Sequence, residues 1–91
     1  MNNPQNNQNQ KIEGVFGSEK EADNFIDQMK KSYNVLPTSD KILYGKRQAT
    51  EDVKTINGNI KKTDWIVTIE GQKKDIDDIR TKIAEHGGFC L

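Results

Sequence analysis

Apolar residues at Ala22, Phe25, Ile26, Met29 and Tyr33 recur every three or four positions, which sets them on one stripe of a helix while Glu19, Lys20, Asp23, Asp27, Lys30 and Lys31 point away. Ser18 stands just before the stripe as an N-cap, and Glu21 three residues later completes a capping box. The spacing predicts an amphipathic helix of about four turns. A narrower stripe of Ile76, Ile79 and Ile83 predicts a second helix over residues 73–86. It has Asp75, Asp77 and Asp78 early and Gly87-Gly88 as its stop.

The remaining apolar runs have strand character. Residues 12–16 give a first strand, residues 41–47 carry Ile42, Leu43 and Tyr44, and residues 65–69 form an Ile/Val/Thr run suited to a covered central strand. Residues 89–91 leave room for a stub. Asn57-Gly58 is the strongest turn signal in the chain. It suits the two positive-φ positions of a type I′ turn and predicts a hairpin with arms at 53–56 and 59–62. The bends around Gly45 and Ala49-Thr50 leave open whether the arm before that hairpin is one strand or two.

Laid over itself at an offset of 54 residues, the chain superposes Gly17 on Gly71, Ala22 on Ile76, Phe25 on Ile79 and Met29 on Ile83. Internal duplication and two independent amphipathic helices both account for this match. Either way the chain reads as two strand-helix-strand units with a hairpin between them. That is an α+β, ferredoxin-like (split βαβ) sandwich: an antiparallel sheet, two helices on one face, an extended central hairpin and a short last strand. The crossover rule puts the first strand and the 65–69 strand in the centre, with the 41–47 strand and the stub at the edges. The second sheet face is expected to be open.

Composition changes this picture at one end. Residues 1–10 hold five Asn, three Gln and one Pro with no apolar residue after Met1, too little to offset chain entropy, so they read as a disordered tail before a single domain at 11–91. Fourteen basic and fourteen acidic side chains cancel, which removes any global pull toward nucleic acid or an anionic membrane. No apolar run approaches the roughly 20 residues of a bilayer span, and residues 1–10 do not read as a signal peptide. With one cysteine, Cys90, and hence no internal disulfide, the expected compartment is the cytoplasm.

The residues that carry chemistry are sparse. His86, the single histidine, falls in the last turn of the second helix, where its imidazole suits the helix dipole. Cys90 has no His and orienting group at a readable spacing. Asp75, Asp77 and Asp78 project in different directions from a helix, and the glycines lack phosphate-loop or dinucleotide spacing. The reading is therefore non-enzymatic, with no metal and no cofactor.

Charge placement gives one further signal. Residues 41–62 hold Lys41, Lys46, Arg47, Lys54, Lys61 and Lys62 against Glu51 and Asp52, a local excess of +4 in a neutral chain. With Tyr44 and Trp65 nearby, such a hairpin suits single-stranded RNA through phosphate contacts and base stacking. Lysines on edge strands also serve simply to block aggregation, and a Trp in an Ile-Val run also suits a core.

The segment Phe16-Gly17-Ser18-Glu19-Lys20-Glu21-Ala22-Asp23 leading to Phe25, then Trp65-Ile66-Val67-Thr68 and Glu85-His86-Gly87-Gly88-Phe89, resembles the regulator of ribonuclease E activity B family. The likeness ends at the paired glycines. It implies a small ferredoxin-like protein that binds and inhibits an enzyme. The strand-helix repeat also resembles, at a lower rank, the septal peptidoglycan-binding repeat domains. The expectation is a regulatory or adaptor module that binds a protein partner through the open sheet face or the 41–62 hairpin, with Lys41, Tyr44, Lys46, Arg47, Lys54, Lys61, Lys62 and Trp65 as the binding residues. The alternative is a small single-stranded RNA-binding protein. Homodimerisation through an uncovered edge strand is a further expectation.

Overall fold

Eight elements follow one another along residues 9–33 and 42–91, which are the residues that the structure, a computed structural model, describes. They are β1 (Asn9–Phe16), α1 (Glu19–Tyr33), β2 (Ile42–Gln48), β3 (Val53–Thr55), β4 (Gly58–Ile60), β5 (Trp65–Gln72), α2 (Lys73–Glu85) and β6 (Phe89–Cys90). Four strands form one sheet in the order β2-β5-β1-β6, and β3 and β4 form a separate two-stranded ribbon. Every neighbouring pair in both sheets is antiparallel. The protein is thus α+β, with β1 and β5 central and β2 and β6 at the edges.

Strand alternation sorts the side chains of the sheet. Ile12, Gly14 and Phe16 stand opposite Ile69, Val67 and Trp65; on β2, Tyr44 continues the Ile12–Ile69 row and Ile42 stands opposite Gly71 on the same face. This face packs against both helices. Ala22, Phe25 and Met29 of α1 and Ile76, Ile79 and Ile83 of α2 are fully buried there, with Tyr33, Tyr44, Trp65 and Cys90 at its margin. At about 25 cal/mol per Å² of apolar surface, this core is the main source of stability.

The helix ends follow their signals. The Glu21 backbone N–H donates to Ser18 Oγ at 3.2 Å, and Glu21 Oε1 accepts from the Gly17 N–H at 3.2 Å. The capping box therefore closes one residue earlier than its usual form. At the end of α2, Gly88 N–H donates to Ile83 O and Gly87 N–H to Ala84 O, a Schellman pair that needs the positive φ of 84° at Gly87. His86 is the C-cap, and its ring lies 6.0 Å from that of Phe25, edge-on.

Four details depart from the sequence reading. Asn9 and Gln10, expected in the tail, belong to β1 and pair with Gln72 and Gly71, because β5 is long enough to offer them a partner. The hairpin registers Thr55 against Gly58, so its two-residue loop is Ile56-Asn57 and not Asn57-Gly58. Thr55 Oγ1 accepts from the N–H groups of Asn57 and Gly58 and so organises the loop. Gly58 still has to be glycine: its φ is 155°, and a Cβ there would lie 3.0 Å from the Phe89 ring.

The third departure concerns the duplication. Helical positions match at 54 residues, but inward strand positions match at 55, Phe16 with Gly71 for example, because Phe16 to Ala22 is one position longer than Gly71 to Ile76. Fourth, the second sheet face is not wholly open. The hairpin folds back over one end of it, where Val15, Ala49, Ile60 and Ile66 form a second small core with Phe89 beneath. β2 itself passes through Gly45 unbroken and ends at Gln48, and β3 is a separate strand.

Candidate interaction surface

The neck of the hairpin is closed by backbone and carboxylates together. The Ala49 N–H donates to Asp64 O at 2.9 Å, Asp64 Oδ2 accepts from the Lys61 N–H and Asp52 Oδ1 from the Lys62 N–H, each at 2.8 Å. These bonds fix where the excursion over residues 49–64 leaves and rejoins the sheet. Ile60 then anchors it to Val15 and Ile66. Beyond the hairpin, the second face is bare and carries Lys11 and Glu13 from β1, Thr68 and Glu70 from β5, and Leu43, Gly45 and Arg47 from β2.

A small network crosses that bare area. Glu13 Oε2 accepts from Arg47 Nη2 and from Thr68 Oγ1, both at 3.2 Å, so the carboxylate ties all three long strands together. Apolar side chains stand at the margins. Leu43 is 38% exposed, Leu91 37%, Val53 40%, and Ile56 at the hairpin tip is fully exposed. Shallow grooves run between Leu43 and Glu70, and from Arg47 along Val53 to Leu91.

The binding residues expected from the sequence do not gather in one place. Tyr44 and Trp65 lie on the helix side, half-buried at the margin of the main core, with the Lys30 ammonium 5.5 Å from the Tyr44 ring and that of Lys46 5.3 Å from the Trp65 ring. The bare face therefore has no aromatic platform among the described residues. The row Tyr44-Ile69-Ile12 and the row Gln48-Trp65-Phe16 put both rings on the same side as the helices, a parity that a one-residue change in register would reverse.

Lys46 reaches α1 and makes ion pairs with Asp23 at 2.6 Å and Glu19 at 2.9 Å. The hydrogen bonds it donates to these two carboxylates, Asp23 first, hold its ammonium above the ordinary lysine value. Arg47 is on the opposite face, paired with Glu13. Lys54, Lys61 and Lys62 are exposed on the hairpin and make no salt bridge among the described residues. Lys41 lies outside the described residues. The +4 excess is thus divided among three surfaces, and two of its cations are already neutralised.

Sequence reasoning missed Glu13, Leu43, Thr68 and Leu91. The signal that finds the first three is the alternation in β1, β2 and β5, followed once the register is known. Other titratable groups have structural work. Tyr33 donates a hydrogen bond to the Asp78 carboxylate, and burial first, then that bond and the negative charges of Asp78 and Asp75 push its phenol well above the ordinary value. Burial pushes the Cys90 thiol up, against a smaller lowering by Arg80. Asp77 pairs with Lys73 and Asp78 with Lys82, and no group of three or more His, Cys, Asp or Glu able to hold a metal occurs among the described residues. No described helix is long and apolar enough to cross a membrane. Comparison with known proteins found no matching family model, no similar curated protein and no similar solved structure.

Proposed function

We propose that this protein is a non-catalytic regulatory or adaptor module of the cytoplasm that binds a protein partner through the bare part of its second sheet face and the adjoining hairpin. The carrying observation is the mixed character of that surface. Leu43, Leu91, Val53 and Ile56 expose apolar area around a Glu13–Arg47–Thr68 network, a combination of apolar anchors and a polar surround that suits a protein interface. The strand order β2-β5-β1-β6 with two helices on one face supports the ferredoxin-like reading. The resemblance to the regulator of ribonuclease E activity B family makes an enzyme the first kind of partner to test.

The test is quantitative affinity capture from native extract with the wild type and with a Leu43→Asp/Ile56→Asp double variant, both positions being exposed. The expected result is one protein recovered in stoichiometric amount by the wild type and lost with the variant. Recovery of no stoichiometric protein, or equal recovery by both, refutes the reading. Retention of single-stranded RNA that disappears when Lys54, Lys61 and Lys62 become Ala and that falls steeply with salt replaces it with the nucleic-acid reading.

A further inference from the structure

We propose that the protein forms a symmetric homodimer in which β2 pairs antiparallel with β2 of a second copy about a two-fold axis at Gly45. The contact is at the sheet edge, not on the bare face, and does not depend on the partner-binding role proposed above.

The edge is well formed. β2 keeps an uninterrupted seven-residue register with β5, from Ile42↔Gly71 to Gln48↔Trp65, and contains neither a proline nor a bulge. No strand pairs with its outer side among the described residues. Such an edge is a template for another strand unless something guards it, and inward or projecting charges are the usual guards. Here the two available charges are drawn back into their own chain, Lys46 onto Asp23 and Glu19 and Arg47 onto Glu13. The opposite edge differs, because β6 covers β1 at only Gly14 and Val15 and is itself two residues long.

The sequence of β2 complements itself in one register. Pairing all seven residues sets Gly45 against Gly45, Leu43 against Arg47, Tyr44 against Lys46 and Ile42 against Gln48, so no like charges meet. Moving the axis to Lys46 brings two ammonium groups together, which destabilises a cross-strand pair. Moving it to Tyr44 leaves Arg47 and Gln48 without partners inside the strand. Around Gly45 the space on the bare face is open, with no atom within 4 Å of where a Cβ would sit. Glu70 neighbours Leu43 on β5 and makes no salt bridge among the described residues. It would lie two strands from the second copy's Arg47, and Arg47 already spans two strands to reach Glu13.

Pairing of this kind gives an eight-stranded sheet with four helices on one side and two bare faces side by side on the other. The contact is one strand wide, so the dimer is of the weak, small-interface class. Sedimentation equilibrium from about 10 μM to about 1 mM tests it. The expected result is a weight-average mass that climbs from the monomer's 10.4 kDa toward twice that value. Leu43→Glu, which faces the second copy's Arg47, is expected to tighten the dimer about 2- to 30-fold, and Leu43→Lys to weaken it by a similar factor, since the pair occurs twice. Leu43 is 38% exposed, and circular dichroism checks that both variants are folded. A wild type that stays monomeric at about 1 mM overturns the proposal. So does equal weakening by both substitutions, the mark of contact through apolar area in place of this register.

Discussion

Ile60 is the residue on which the docking of the hairpin depends, and Ile60→Ala is the perturbation that tests whether the second small core stands apart from the first. Ile60 is 6% exposed and packs with Val15, Ala49 and Ile66, across the sheet from the helices. The substitution removes three carbons, at about 0.8 kcal/mol for each buried carbon about 2.4 kcal/mol. The surrounding groove, bordered by Val53 and Leu91, lets the site close partly, which keeps the cost near the lower end of the roughly 2–5 kcal/mol seen for such truncations. If the hairpin opens as a unit, its amides feel this loss while β1 and β5 do not. Native-state hydrogen exchange is then expected to accelerate about 50-fold at the bonded amides of β3 and β4, since each 1.4 kcal/mol is tenfold. Protection in the central strands is expected to hold. Ile79→Ala, fully buried under the helices, is expected to do the reverse and lower protection everywhere. Unchanged exchange in β3 and β4, or an equal loss across the whole sheet in Ile60→Ala, refutes the two-core reasoning.

Three further outcomes follow from single contacts. Ser18→Ala removes the acceptor for the Glu21 N–H and is expected to cost about 1 kcal/mol in urea unfolding, with little change when Ser18 is replaced by Asp. Gly58→Ala puts a Cβ against the Phe89 ring at a positive φ and is expected to destabilise the hairpin by about 1–3 kcal/mol, read as faster exchange at β3 and β4. Tyr33 has its phenol raised by burial and Asp78, so the folded state holds the proton after an unfolded chain would release it. Stability is therefore intact below the ordinary phenol value of about 10 and is expected to fall as pH rises beyond it. Ultraviolet titration of a Tyr44→Phe variant checks this: phenolate absorbance is expected only together with alkaline unfolding, and reversible ionisation of the folded chain near pH 10 refutes it.

Local signals settled the helices. Ala22, Phe25 and Met29, and Ile76, Ile79 and Ile83, announce their faces by spacing alone. Ser18 with Glu21 and Gly87 with Gly88 mark ends that close through bonds only a few residues long. The existence of strands near residues 12–16, 41–47 and 65–69, and of a hairpin near Asn57, was legible for the same reason. What each strand faces was not. Tyr44 and Trp65 belong to the helix side because of the register that joins β2, β5 and β1 across many residues, and a period of two is blind to which side is the core. The folding of the hairpin onto Val15 and Ile66 depends on Ala49, Ile60 and Phe89, residues too far apart in the chain for any window to associate. The basic segment shows the limit most clearly. Its charge excess is a property of composition, but Lys46 and Arg47 leave on opposite faces and meet carboxylates from α1 and β1, a neutralisation that only the assembled sheet brings about.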